Sequence, residues 1–155
     1  MPRFEPIRPW KDSKVEIEKK EKAVAAFIKK INRKAWVPIT SDAWRYLSEI
    51  MAPYQSHPVW NRMVVDRSVT KHFSKPNLDP SMGCFFIDVR YLEAHRGNPL
   101  SDFKFDHVKK NLDRGVKMEV PYFELPRGTV GEGNHRIAMM SKLGYRAVPV
   151  TVYWK

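Results

Sequence analysis

Cysteine is almost missing from this chain: Cys84 stands alone. One cysteine closes no intrachain disulfide and builds no cysteine-based zinc site. Long apolar runs are missing too, since no stretch approaches the ~20 residues a membrane span requires. The opening MPRFEPIRPWKDSK lacks the apolar centre of a secretory signal. His57, His72, His95, His107 and His135 fall at no spacing that makes a metal-ligand pair. There is no Walker-type lysine loop and no nucleophile elbow. Acidic residues are scarce, 17 against 28 Lys and Arg, which leaves a net charge of +11. These absences lead us to expect a soluble, cytoplasmic protein with no zinc, no disulfide and no membrane span.

What is present fits one globular unit. A length of 155 residues allows one domain and little more. With 43% hydrophobic residues the chain is too apolar to be intrinsically disordered. The +11 suits a polyanionic partner, because Lys and Arg displace counterions from phosphates. A nucleic acid or a nucleotide is therefore the expected partner, although the same charge would also serve solubility. Residues 1–80 hold 16 basic and 9 acidic side chains, residues 81–155 hold 12 and 8, so the excess lies mainly in the first half.

The first half reads as helical. Pro2, Pro6 and Pro9 make residues 1–13 an extended arm, where Arg3, Arg8 and Lys11, with Lys14, could track a phosphate backbone, or else a frayed terminus. Residues 14–34 read as a helix, with Val24, Phe27, Ile28 and Ile31 on one buried face. Lys19, Lys20, Lys22, Lys29, Lys30 and Arg33 crowd the remaining positions, a candidate nucleic-acid-binding surface or simply a solvated face. A second helix, capped by Ser41 or Asp42, runs through Trp44, Leu47, Ile50 and Met51 to Pro53. A helix-like stretch follows Pro58, and residues 68–83 read as a long connection. Trp36, Trp44, Trp60 and Tyr46 lie among basic residues and could stack on unpaired bases. Their helical spacing points instead to core packing.

The second half reads differently. Cys84 to Val89 is a short apolar strand bounded by Gly83. Ser101 caps a helix with Phe105, Val108 and Leu112 on one face and Gly115 as its stop. Val120 to Leu125 is a second strand, Pro126 to Val130 a hairpin corner, and Val148 to Tyr153 the closing strand. Between the last two, Gly131 to Gly133 open a helix with Ile137, Ala138, Met140 and Leu143 inside and Gly144 as its cap. The expected class is α+β: a core at 84–155 behind an N-terminal helical extension at 1–83, the two forming one compact unit.

The segment Gly131-Glu132-Gly133-Asn134-His135-Arg136 carries the chemistry. Glycines permit close backbone approach, and the unpaired N–H groups at a helix start favour an anion. His135 and Arg136 add two donors, Arg136 one that can grip phosphate bidentately. Gly131, Gly133, Asn134, His135 and Arg136 are thus candidate phosphate ligands.

The run GEGNHRIAMMSKLGYRAVPVTVY resembles the C-terminal signature of the ParB/sulfiredoxin superfamily. Its elements here are Glu132-Gly133-Asn134-His135-Arg136, Ala138, Leu143-Gly144 and the Val148-Pro149-Val150-Thr151-Val152 strand. With the upstream strand and helix, the resemblance covers about residues 84–153. It implies a small mixed sheet with helices, in which the Gly-x-His-Arg helix start binds nucleotide or nucleic-acid phosphates. A sulfiredoxin is disfavoured, because its catalytic cysteine is replaced by Asn134, which is no nucleophile. A partition protein is disfavoured, because the core runs to Lys155 with no room for a helix-turn-helix domain. A free-serine kinase would need a carboxylate near the first strand, for which Glu93 is a poor match.

The short nuclease or NTPase branch remains, with Mg²⁺ and ATP or CTP as the implied cofactors. In that setting Glu132 could hold the metal or act as a base, and His135 could act as general acid or base. Arg136 would neutralise phosphoryl charge, and His107, Lys109 and Lys110 would reach other phosphates from the preceding helix. Two alternatives stay open. One is a non-enzymatic nucleic-acid- or protein-binding module, aimed for example at a host factor of a mobile element. The other is a small-molecule phosphotransferase of the free-serine-kinase type.

Overall fold

A computed structural model describes residues 14–51 and 54–154. The expected arm at 1–13 lies outside the described residues. The chain forms α1 (Lys14–Asn32), α2 (Ser41–Met51), two 3₁₀ turns (Pro58–Asn61 and Arg67–His72), β1 (Gly83–Asp88), α3 (Val89–Ala94) and α4 (Asp102–Asp113). It continues through β2 (Tyr122–Leu125), β3 (Thr129–Glu132), α5 (Asn134–Lys142) and β4 (Ala147–Trp154). The class is α+β, with helices around a four-stranded mixed sheet.

The sheet order is β1-β4-β2-β3. β4 runs antiparallel to β1 and parallel to β2, and β2 and β3 form an antiparallel hairpin. β4 is central, and Ala147 to Val152 are buried without interruption. A strand covered on both faces shows no polar alternation, which is why it reads as one apolar run. Both sheet edges are covered, as free edges invite intermolecular pairing. Residues 34–36 lie along β1, where Trp36 N–H donates to the Cys84 carbonyl at 2.9 Å and Phe86 N–H to the Lys34 carbonyl at 2.9 Å. The loop after α3 lies along β3, where Val130 N–H donates to the His95 carbonyl at 2.9 Å.

One core draws on both halves of the described chain. Ile31, Ala35, Val59, Trp60, Met63, Val69 and Phe73 pack in the same cluster as Phe85, Phe86, Phe123, Ile137, Val148 and Val150. Trp60 stands edge-on to Phe27 and Phe85, with ring centroids 5.6 and 5.4 Å apart. Trp60 is thereby a core residue, whereas Tyr46 is half exposed at 50%. In α1, Ile28 and Ile31 are buried and Val24 and Phe27 partly so, as the spacing predicts. Residues 14–23 of that helix, Ile17 aside, are all exposed.

Several local expectations need correction. β3 replaces part of the hairpin corner, so Gly131 and Glu132 end a strand rather than open a helix. A four-residue strand that ends in Gly131 and Glu132 is too short to be seen from pattern. Thr40 caps α2, accepting the Ala43 N–H at 3.3 Å. The stretch at 58–61 and part of the connection at 68–83 are 3₁₀ turns, and Val89–Ala94 is a short helix that the strand reading overran. Leu143 is 53% exposed rather than inside, because α5 ends at Lys142 and the chain has already turned toward Gly144.

Candidate phosphate-binding groove

The β3–α5 corner faces α4 across a groove of about 540 Å³. Its wall from β3 and α5 consists of Gly131 to Arg136, the whole segment singled out in the sequence. Its other wall is Asn98 and Pro99 of the loop after α3 and Phe103, Lys104, His107 and Val108 of α4. The topology builds this juxtaposition, since α4 and α5 pack on each other beside the sheet.

The corner is set by Gly133. It caps α5 with φ +97°, a left-handed conformation that L side chains rarely adopt. A Cβ there would also lie 2.6 Å from Pro121 Cβ and 2.9 Å from Pro121 Cα. Only a glycine lets the chain turn from β3 into α5 against Pro121. Gly97 serves a similar end on the opposite wall, where a Cβ would lie 2.4 Å from the Val130 carbonyl oxygen. The N–H groups of Asn134, His135 and Arg136 have no carbonyl one turn earlier within the helix, so the groove receives the positive end of α5.

Each motif side chain has a partner. Asn134 is buried, and its Oδ1 accepts the Gly97 N–H at 3.3 Å, tying the loop after α3 to the start of α5. His135 Nε2 accepts the Ser101 N–H at 2.8 Å. Only an unprotonated ring nitrogen accepts from a backbone N–H, so the proton of neutral His135 sits on Nδ1. Burial, reinforced by the Lys104 and Arg96 charges, holds the His135 imidazole below its usual range. His135 is thus a neutral brace between α5 and the N-terminus of α4, where Ser101 Oγ caps the helix by accepting the Lys104 N–H. Arg136 donates to the Glu119 carbonyl oxygen and pairs with Glu132 at 3.5 Å. The Arg136 side chain is 18% exposed and that of Glu132 64%. The guanidinium is thus held by two partners, and its carboxylate partner is the more exposed of the pair.

The remaining candidates separate. His107 lines the groove with the motif, but the lining does not include Lys109 or Lys110. Lys104 and Asn98 line it and are additions that the sequence reading missed. Helical spacing held the signal for Lys104, which lies three residues before His107 and four before Val108, both in the lining, whereas Lys110 stands one turn further along α4. Lys19, Lys20, Lys22, Lys29, Lys30 and Arg33 lie on α1 or just beyond it, and none lines the groove. Glu93 does not line it either. Cys84 is free and buried in β1, and burial pushes its thiol up to about 12, which leaves it unreactive at neutral pH.

The electrostatics favour an anion with one reservation. Lys104, Arg136 and the helix terminus are positive, His107 and His135 are potential donors, and Glu132 is the one carboxylate in the lining. Among the described residues no group of three or more His, Cys, Asp and Glu could hold a metal ion. Glu132 alone fits Mg²⁺ only where phosphate oxygens and water complete the shell, which is how that ion usually binds. Among the described residues no helix is long and apolar enough to cross a membrane. Comparison with protein-family models, curated proteins and solved structures returns no match for this chain.

Proposed function

We propose that this is a ParB-like α+β protein that binds the phosphates of a nucleotide or of DNA in the groove between α4 and the start of α5. The observation that carries the reading is the convergence of Gly131 to Arg136 with Lys104 and His107 on one groove of about 540 Å³. A helix N-terminus with an anchored arginine and a lysine opposite is suited to a di- or triphosphate. β1, the helices, the β2–β3 hairpin, α5 and β4 form a small α+β unit with a four-stranded mixed sheet. The enzymatic form would be a Mg²⁺-dependent NTPase or nuclease. In it Glu132 would help hold the ion beside the phosphates, and an arriving phosphate would take its place on Arg136. His135 would position rather than transfer protons, because its Nε2 is already engaged by Ser101.

The test is a titration of ATP, CTP, GTP and a short DNA duplex into the wild type and Arg136→Ala. The expected result is binding by the wild type that weakens at least about tenfold in the variant. Equal binding by both proteins, or none by either, overturns the reading. Glu132→Gln separates binder from enzyme. Retained or tighter binding with turnover abolished marks an enzyme, and tighter binding with no turnover in either protein marks a binder.

A second reading is favoured by α1, whose residues 14–23, Ile17 aside, are all exposed while carrying Lys19, Lys20 and Lys22. In this reading the sheet domain is a scaffold, and α1 engages nucleic acid or an acidic protein surface. Ile28, Ile31 and Ala35 belong to the core, so removing this region would unfold the protein. Neutralising exposed lysines is the appropriate test.

A further inference from the structure

We propose that a second pocket, next to the groove and centred on Glu124, recognises the base of the nucleotide and selects guanine. The proposal rests on the phosphate-binding reading above and adds the identity of the base. The pocket has a volume of about 370 Å³ and is lined by Arg96, Arg127, Thr129 and Tyr153 around Glu124. Asn98 and Gly131 belong to its lining and to that of the groove, so the two are neighbours across β3 and the loop after α3.

Strand register assembles it. Glu124 of β2 pairs with Thr129 of β3 on one side and with Tyr153 of β4 on the other. Three adjacent strands therefore present Glu124, Thr129 and Tyr153 to one face of the sheet. Glu124 is only 7% exposed, in a strand otherwise occupied by Tyr122, Phe123 and Leu125. Its contacts are long. Tyr153 OH donates to Oε2 at 3.5 Å, and Arg127 stands 3.9 Å from Oε1. Arg127 is itself 71% exposed. A carboxylate can accept about four hydrogen bonds, and burying one without them costs several kcal/mol. Packing alone does not call for a glutamate here, since an apolar residue would fill the position at no such cost. Burial and the adjacent Glu124 charge push the Tyr153 phenol above its usual range, so it stays a donor.

The unmet capacity defines the ligand. Two carboxylate oxygens side by side accept from two adjacent N–H donors. Guanine offers that pair at N1–H and N2–H, and its O6 is an acceptor that Arg96 or Arg127 could meet. Adenine and cytosine place a ring-nitrogen acceptor beside their amino group, so one oxygen of Glu124 would face a lone pair. A buried site left with an unpaired polar group discriminates strongly. The resemblance suggested ATP or CTP, whereas the chemistry of this pocket suggests GTP.

The experiment compares GTP, ATP, CTP and inorganic tripolyphosphate on the full chain by calorimetric titration, with wild type, Glu124→Gln and Arg136→Ala. The expected result is GTP binding at least about tenfold tighter than ATP and CTP. Glu124→Gln, whose amide sets a donor beside an acceptor, should abolish the GTP preference and shift it toward ATP and CTP while leaving tripolyphosphate affinity unchanged. Arg136→Ala should weaken all four ligands. Equal affinity of the wild type for the three nucleotides, with tripolyphosphate still bound and still sensitive to Arg136, overturns the guanine pocket and leaves the phosphate site standing. No binding of any ligand overturns both. The wild-type preference decides the matter even if Glu124→Gln fails to fold, and Arg127→Ala, at an exposed position, provides a further variant expected to lower the GTP preference.

Discussion

Residues 14–82 and 83–154 share one core yet use their positive charge in opposite ways. On α1, Lys14, Lys19, Lys20 and Lys22 stand on exposed positions of the first turns. In the groove, Arg136 is fixed by the Glu119 carbonyl and Glu132. The first region holds more charge, of which Lys34 is fixed by the Met63 carbonyl at 2.9 Å, and the second fixes Arg136 beside a groove. A site is marked by charges whose positions are determined, because a preorganised donor loses less entropy when a ligand arrives. The count of +11 alone does not distinguish these two kinds of charge.

The sharpest way to break the comparison is to ask whether the first region is part of the folding unit at all. Trp60 is 2% exposed between Phe27 and Phe85. Trp60→Ala should cost about 3–5 kcal/mol, a large part of the stability of a domain this size. Chemical denaturation should show one transition, shifted as a whole. A loss below about 1 kcal/mol, or a second transition, would mean that residues 14–82 detach from the sheet. The next effect belongs to the corner. Gly133→Ala forces a side chain into φ +97° and against Pro121, and should cost about 1–3 kcal/mol from the backbone alone. Thermal melting would measure it, and an unchanged Tm would show that the corner can relax. Arg136→Ala comes third, with ligand affinity down at least about tenfold and a smaller change in Tm.

How far these features were legible in sequence depends on how local their causes are. The apolar spacing of Ile28 and Ile31, the Ser101 cap and the uninterrupted β4 run come from neighbouring residues, and all three are found where expected. The Gly131 to Arg136 segment was recognised because glycine and helix-start chemistry are also local. β3 was missed because its pairing with β2 and with the loop after α3 is a tertiary matter that a four-residue pattern does not encode. The same reason hid Lys104 and Asn98, which face the motif only once α4 and α5 pack. It also hid Glu124, whose burial depends on its neighbours in β3 and β4.

Protonation offers a smaller effect. His57, His72 and His135 are each held below the usual imidazole range, burial being the first cause in all three. A histidine whose folded-state pKa is lowered binds its proton more readily in the unfolded chain. Stability is then full above the unfolded value near ~6.5 and is lost as pH falls through the folded values. The Tm should be flat between about pH 7 and pH 8 and decline below about pH 6.5. His135→Gln should make that decline shallower, since protonating Nε2 would set a donor against the Ser101 N–H. An unchanged decline would assign it to His57 and His72.

The smallest expected change tests the other side of the comparison. Replacing Lys19, Lys22, Lys29 and Lys30 together by glutamine removes four exposed charges, and glutamine is about as good a helix former as lysine. Stability should move by less than about 1 kcal/mol. If the groove is the binding site for a single nucleotide, affinity should also stay nearly constant, because these lysines lie outside its lining. If α1 tracks a duplex, DNA affinity should fall, and the slope of log K against log salt should shrink by up to about 0.9 for each phosphate that is no longer neutralised. The nucleotide titration and the DNA salt slope respond to different halves of the chain. Measuring both on this one variant tells which half does the binding, or whether a nucleotide in the groove and a duplex along α1 are held at once.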